Sequence, residues 1–250
     1  MKINSDEIKS FIKYFDNHIE NIGKIHVEND FSFLYQKVLY ICLIDAMLKS
    51  VYEPERGKNK IRMIRFIDIF SGWENSGKIS LPHLKRLLDK SKNNEYQKLL
   101  DYVNKKLENW IPGEVKYLEN DIGVEEIASL LPKALGENKI FKNIKIIDLK
   151  HTHLFYTYRN SIVHELTLKD YSWETHTKMR KEEPYYSYFE VLGPDVDDPS
   201  NNYWALHYPA LFLKKVCKNS LKKLEELLIE NDLNPRKNYS FSNYWLKDLD

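Results

Sequence analysis

Residues 31–52, FSFLYQKVLYICLIDAMLKSVY, are apolar around most of a helical circumference, and this stretch does most to limit the folds open to the chain. A helix with so little polar face has to be surrounded, so the pattern predicts a helix from about Phe31 to Tyr52 at the centre of a bundle. Glu53-Pro54 ends it. Its greasiest part, VLYICLIDAML, carries Asp45 and falls short of the ~20 residues that cross a bilayer. The N-terminal MKINSDEIKSF has no apolar leader region, so the expectation is a cytoplasmic protein with no membrane partner.

The neighbouring stretches keep a helical period. Ser5 is placed to cap a first helix with Ile8, Phe11, Ile12, Phe15 and Ile19 as its apolar stripe. A third helix is expected over Asn59–Phe70, with Ile61, Ile64, Ile67 and Ile69 inward and Arg62 and Arg65 outside. Leu81-Pro82 opens a fourth that reaches about Asp89, and a fifth runs from Glu95 to Trp110. Residues 112–122 read as loop with at most one short strand, and Val124–Leu135 as a short helix. Lys139–Asp148 fits strand or helix; Leu149–Leu166 is a helix rich in aromatics and histidine.

The texture then changes. Tyr185–Leu192 and Tyr203–Tyr208 are aromatic and β-branched around GPDVDDPSNN, the composition of a β-hairpin and its turn. Pro209 starts a last amphipathic helix. The fold class is mainly α, a helical bundle with a two-stranded β-hairpin inserted before the last long helix. The expected organisation is one domain over 1–250: a helical bundle to 180, a hairpin insertion at 181–210, a C-terminal helix at 209–232 and an aromatic tail at 233–250. Tyr239, Phe241, Tyr244, Trp245 and Leu246 make that tail too apolar to stay in water, so it should dock on the body or on a protein partner.

Charge and cysteine content exclude several functions. With 38 basic and 37 acidic residues the net charge is +1, which excludes a protein that coats duplex by charge alone. Any nucleic-acid contact must be local. Cys42 and Cys217 lie in apolar stretches as small buried residues, too few for a disulfide framework or a four-thiolate zinc site. GWENSGKISLPH at 72–83 has the central glycine of a calcium loop, but Gly72 and His83 would stand at its first and last ligand positions. His151 and His153 are two residues apart and diverge on a helix. No glycine-rich phosphate loop and no GxSxG occurs. No metal and no cofactor is expected.

The chemistry concentrates in LFYTYRNSIVHEL, residues 154–166. Asn160 and His164 lie about 40° apart on a helix, with Tyr156 and His153 on the same stripe. Arg159 starts about 140° from His164, but its long side chain can sweep round to that face. Tyr158, Ile162, Val163 and Leu166 anchor the opposite side. An imidazole moves a proton near neutral pH, a guanidinium neutralises a phosphorane-like transition state, and an amide orients either one. These groups suit metal-free phosphodiester chemistry. One helix supplies one histidine, whereas cleavage assisted by the ribose needs a base and an acid, which a two-fold dimer would bring together. The competing structural reading pairs Arg159 with Glu165 and buries His164.

RNSIVH, with a polar residue directly after the arginine, resembles the R-x(4–6)-H signature of the HEPN superfamily. The order of LIDAMLKSVY, YRNSIVHEL and a PYY hairpin before the last helix is similar to bacterial HEPN-like proteins over about residues 30–230. The resemblance implies a HEPN-like bundle whose protomers pair through the motif helix into a composite, metal-independent ribonuclease site. Arg159, Asn160 and His164 would be its catalytic residues, RNA its substrate, and a toxin or phage-defence effector its biological role. Members that bind without cutting leave a second reading, a scaffold for RNA, a nucleotide or a protein partner. Asp45, a carboxylate in an apolar helix, is expected either to pair with Arg159 and hold it or to sit on an exposed edge.

Overall fold

A computed structural model describes residues 4–27, 31–53, 57–131, 139–167, 182–190 and 202–239. Among these residues it contains eight α-helices and a small antiparallel sheet that precedes the last long helix, so the protein is mainly α, as the periodicity predicts. The chain groups into two compact units, residues 1–72 with 213–250 and residues 73–212.

The first unit contains α1 (Ser5–Ile22), α2 (Ser32–Met47), α3 (Asn59–Phe70) and most of α8 (Ala210–Glu230). On α1, Ile8, Phe11, Phe15, Ile19 and Ile22 turn inward at the spacing of one helical face. Its cap is Asn4 rather than Ser5: the Asn4 amide and side chain are taken up by Asp232, at 2.9 and 2.6 Å. Helix α2 ends at Met47 and continues as a 3-10 turn over Leu48–Ser50, short of Tyr52. It is not surrounded as expected. Tyr40, Ile41, Ile44 and Met47 are buried, whereas Tyr35 and Leu39 are 45% and 40% exposed and Cys42 lies exposed beside them. Of the two cysteines only Cys217 is a buried apolar residue.

Helix α3 has the expected bounds but a different phase. Met63, Phe66, Ile67 and Phe70 are its buried side, while Ile61 and Ile69 are both 54% exposed. The i, i+3, i+4, i+7 spacing from Met63 outweighs the isoleucine count. Arg62 is drawn in with that face and donates to the Tyr52 carbonyl at 2.8 Å. Tyr239 docks: its hydroxyl donates to the Ala46 carbonyl at 2.6 Å and its ring meets Phe11 edge-on. Phe241, Tyr244, Trp245 and Leu246 lie outside the described residues.

The second unit contains α4 (Leu81–Ser91), α5 (Gln97–Leu107), α6 (Val124–Ala128) and α7 (His151–Glu165). Pro82 occupies the first turn of α4, where no amide proton is needed. Leu81, Leu84, Leu87 and Leu88 send one side of α4 into a core completed by Leu99 and Val103 of α5, Ile127 of α6 and, between the longer elements, Ile79, Ile122 and Leu149. The ambiguous 139–148 stretch forms a tight antiparallel pair, β2 (Lys139–Phe141) with β3 (Ile144–Lys145), followed by a 3-10 turn over Ile146–Leu149. The expected hairpin consists of β4 (Tyr185–Phe189) and β5 (Tyr203–His207), in register from Tyr185↔His207 to Phe189↔Tyr203. It gains a third strand, β1 (Val115–Tyr117), so the sheet order is β1-β4-β5. Most of the turn expected at 193–202 falls outside the described residues.

Candidate functional site

Helix α7 carries the candidate residues, and its inner face explains how they are held. Phe155 and Tyr158 pack on Tyr208, with ring centroids 5.4 and 4.9 Å apart, and Trp73 meets Phe155, Tyr208 and Phe212 edge-on. Ile162 is fully buried a turn further on. Aromatic pairs of this kind contribute ~0.5–1.5 kcal/mol each beyond their buried area. The outer face is thus presented from a fixed support.

On that face Arg159 reaches across the helix. Its Nη1 lies 3.0 Å from Asn160 Oδ1 and 3.0 Å from His164 Nε2. The long stem makes the sweep that backbone angles alone would forbid. A guanidinium only donates, so the Nε2 it touches is the acceptor and the proton of the neutral ring is on Nδ1. Arg159 and Asn160 are half-buried, and His164 is exposed in the last turn. His164 is therefore not a buried core histidine. The Glu165 carboxylate accepts from the hydroxyls of Ser161 and Thr167, at 3.4 and 3.2 Å.

The other candidates occupy settings of their own. His153 points its Nδ1 toward Asp148 Oδ1, 3.4 Å away, and its carbonyl accepts from Thr157. Tyr156 is half-buried on the stripe that leads to Asn160. Asp45 belongs to α2 of the first unit, where it is half-buried.

A second polar cluster, which the sequence reading missed, lies at the foot of α7. His151 Nε2 is 2.7 Å from Asp121 Oδ2, and neither side chain is exposed to solvent. The Tyr186 hydroxyl lies 2.8 Å from the same oxygen and 2.7 Å from Ser80 Oγ, which in turn is 2.7 Å from His83 Nδ1. The other Asp121 oxygen accepts from the Leu81 amide at 2.9 Å, a cap for α4 supplied forty residues away. A carboxylate only accepts, which orders the protons. Tyr186 and His151 both donate to Asp121, Ser80 donates to Tyr186, and His83 Nδ1–H donates to Ser80. Burial, and then the Asp121 charge, push the Tyr186 phenol well above its ordinary range, so it keeps its proton. The cluster ties the start of α4, strand β4 and the first residue of α7 together. His151 N–H also donates to the Lys78 carbonyl at 3.0 Å. The sequence holds one signal for this, the polar Ser80 and Asp121 set in the apolar stretches KISLPHL and NDIGV.

No helix among the described residues is long and apolar enough to cross a membrane. No family model, no curated protein and no solved structure matches the chain.

Proposed function

We propose that the protein is a cytoplasmic, metal-independent endoribonuclease of the HEPN type that works as a homodimer paired through α7. The observation that carries this reading is the 3.0 Å contact of Arg159 Nη1 with His164 Nε2 on the exposed end of an anchored helix. A phosphate entering there competes for the guanidinium, and the turn of Arg159 toward it releases the Nε2 lone pair. That nitrogen takes the proton of the ribose 2′-OH as the oxygen attacks phosphorus. The bond from phosphorus to the 5′ oxygen breaks, and the imidazolium of the second copy protonates the leaving oxygen. Arg159 offsets the charge that develops on the phosphoryl oxygens, and Asn160 holds the guanidinium in place. The products are a 2′,3′-cyclic phosphate and a 5′-OH. The RNSIVH resemblance extends the proposal to a toxin or phage-defence role, and the aromatic tail to a protein partner.

The test is cleavage of labelled single-stranded RNA by the purified full-length protein in excess chelator. His164→Ala removes base and acid together in a symmetric dimer and should lower the rate by at least ~10²–10⁴-fold. Arg159→Ala should be comparably harmful and Arg159→Lys only partly active, because an ammonium lacks the planar fork that can grip two phosphoryl oxygens at once. Asn160→Ala should be milder. DNA, without a 2′-OH, should resist. A 3′-OH product, or His164→Ala cutting as fast as the parent, sinks the mechanism. A protein that cuts no RNA, or that stays monomeric at micromolar concentration with His164 remote from any contact, leaves the binding scaffold in its place.

A further inference from the structure

A cleft of about 930 Å³ opens in the second unit between the outer side of α4 and the ends of β4 and β5. Its α4 wall follows from the amphipathic pattern. With the leucines turned inward, the helix presents Lys85, Arg86, Lys90 and, at its left-handed C-cap, Lys92, against the single carboxylate Asp89. Lys85 and Lys92 are two helical turns apart, about 10 Å along the axis. Asp89 holds Lys85 at 2.7 Å, while Arg86, Lys90 and Lys92 are exposed.

The facing wall is aromatic. Tyr188 and Trp204 are direct cross-strand partners with ring centroids 5.4 Å apart, and both are half-buried. The Arg86 guanidinium stands 5.1 Å from the centre of the Tyr203 ring, and Phe141 adds a further ring to the lining. The volume falls in the range of ligand sites, but the lining is not that of an ordinary apolar pocket. It sets a row of cations beside aromatic side chains that keep part of their surface open to the cleft. Phosphates spaced along a chain, with bases projecting to one side, match both walls at once. An acidic peptide would use the cations and leave the rings idle, and a single nucleotide would engage only part of a 10 Å row.

We propose that this cleft binds a short stretch of single-stranded nucleic acid, with bases against Trp204 and Tyr188 and phosphates along the Lys85–Lys92 edge of α4. The inference goes beyond the ribonuclease reading and does not rest on it, because nothing in the cleft requires a 2′-OH.

The experiment is fluorescence anisotropy of the full chain with a labelled hexathymidylate, a probe that the proposed cleavage cannot consume. ATP and inorganic phosphate serve as competitors. Hexathymidylate should bind more tightly than either competitor, and its affinity should fall steeply with salt. Each of Arg86→Gln and Lys90→Gln, exposed positions that leave the core untouched, should lower the slope of log affinity against log salt by about 0.7. Trp204→Leu should weaken binding about tenfold, provided its circular dichroism matches the parent. Affinity and slope unchanged in all three variants overturn the proposal. So does ATP binding with no oligonucleotide binding, which would make the cleft a mononucleotide site. A parent that binds the oligonucleotide but cuts no RNA refutes the nuclease and leaves the cleft standing.

Discussion

Replacing Asp121 with alanine tests how the foot of α7 is held. The carboxylate is fully buried and takes three donors: the Leu81 amide at 2.9 Å, Tyr186 at 2.8 Å and His151 at 2.7 Å. Its removal strands all three where water does not reach. An unsatisfied buried donor costs ~1–3 kcal/mol. Some relief comes from water entering the vacated space, so the loss should total about 3–6 kcal/mol. That is a large part of a typical folding free energy of ~5–15 kcal/mol, and Tm should fall by roughly 6–24 °C. Asp121→Asn keeps the volume and an acceptor oxygen but turns an amide N–H2 toward a donor, and should cost about 1–3 kcal/mol. Tyr186→Phe removes one donor and should cost about 1–2 kcal/mol. Urea titration read by tryptophan fluorescence should therefore rank the variants Asp121→Ala, Asp121→Asn, Tyr186→Phe in decreasing damage. An Asp121→Ala protein within ~1 kcal/mol of the parent would refute the reasoning, since no arrangement of three stranded donors is that cheap.

Three further outcomes follow from the first unit. Glu20 is held down to about 2, first by the hydrogen bond from Lys218 and then by that from Lys214, against an ordinary value of 4.5. Its contribution is therefore complete above about pH 5 and is lost as pH falls from 4.5 toward 2; Glu20→Gln should flatten that part of a stability–pH curve, and the pair's exposure means 1 M salt should erase the difference. Maleimide should modify Cys42 quickly in the native protein, while buried Cys217, whose thiol burial pushes far up, should react only on unfolding; equal rates at both sites would contradict the packing. Tyr239→Phe should cost about 1 kcal/mol through loss of the bond to Ala46, and deletion of 236–250 more than that, measured by thermal melting; no change in either would mean the docked ring is decorative.

How much could be read in advance depended on how local the determinants were. Helix α3 begins and ends where expected because Asn59 and Phe70 bound an uninterrupted run, and α4 starts where Pro82 says it must. The inward phase of α3 was not legible from isoleucine count, since Ile61 and Ile69 fall outside the Met63–Phe66–Ile67–Phe70 face. Nor was the full exposure pattern of α2, whose apolar residues outnumber the places available inside. Strand β1 has three residues and no pattern of its own; it exists because β4 offers an edge to pair with. The Arg159–Asn160–His164 arrangement lies within one and a half turns of helix, so spacing and side-chain reach were enough to anticipate that they could meet. Apart from the local Ser80–His83 bond, the Asp121 cluster joins residues 30 to 106 positions apart, and no periodicity encodes such pairings.

The two polar clusters of the second unit explain each other through the composition of α7. Its inner face is not a hydrophobic stripe: His151, Thr152 and Ser161 are buried there beside Phe155, Tyr158 and Ile162. A helix this weakly amphipathic gains little from burial alone, and its position must come from specific partners. The aromatic contacts with Tyr208 and Trp73 fix its middle, and Asp121 fixes its first residue. Directional bonds leave fewer alternative seatings than an apolar stripe, which slides and rotates at small cost. Arg159 needs that restriction. Its reach to His164 spans five residues around the helix, and a modest rotation of α7 would present guanidinium and imidazole to different surroundings. Loss of Asp121 should therefore disturb the outer face as well as the core, so that any activity of His164 falls further in Asp121→Ala than in an equally destabilised variant of α1.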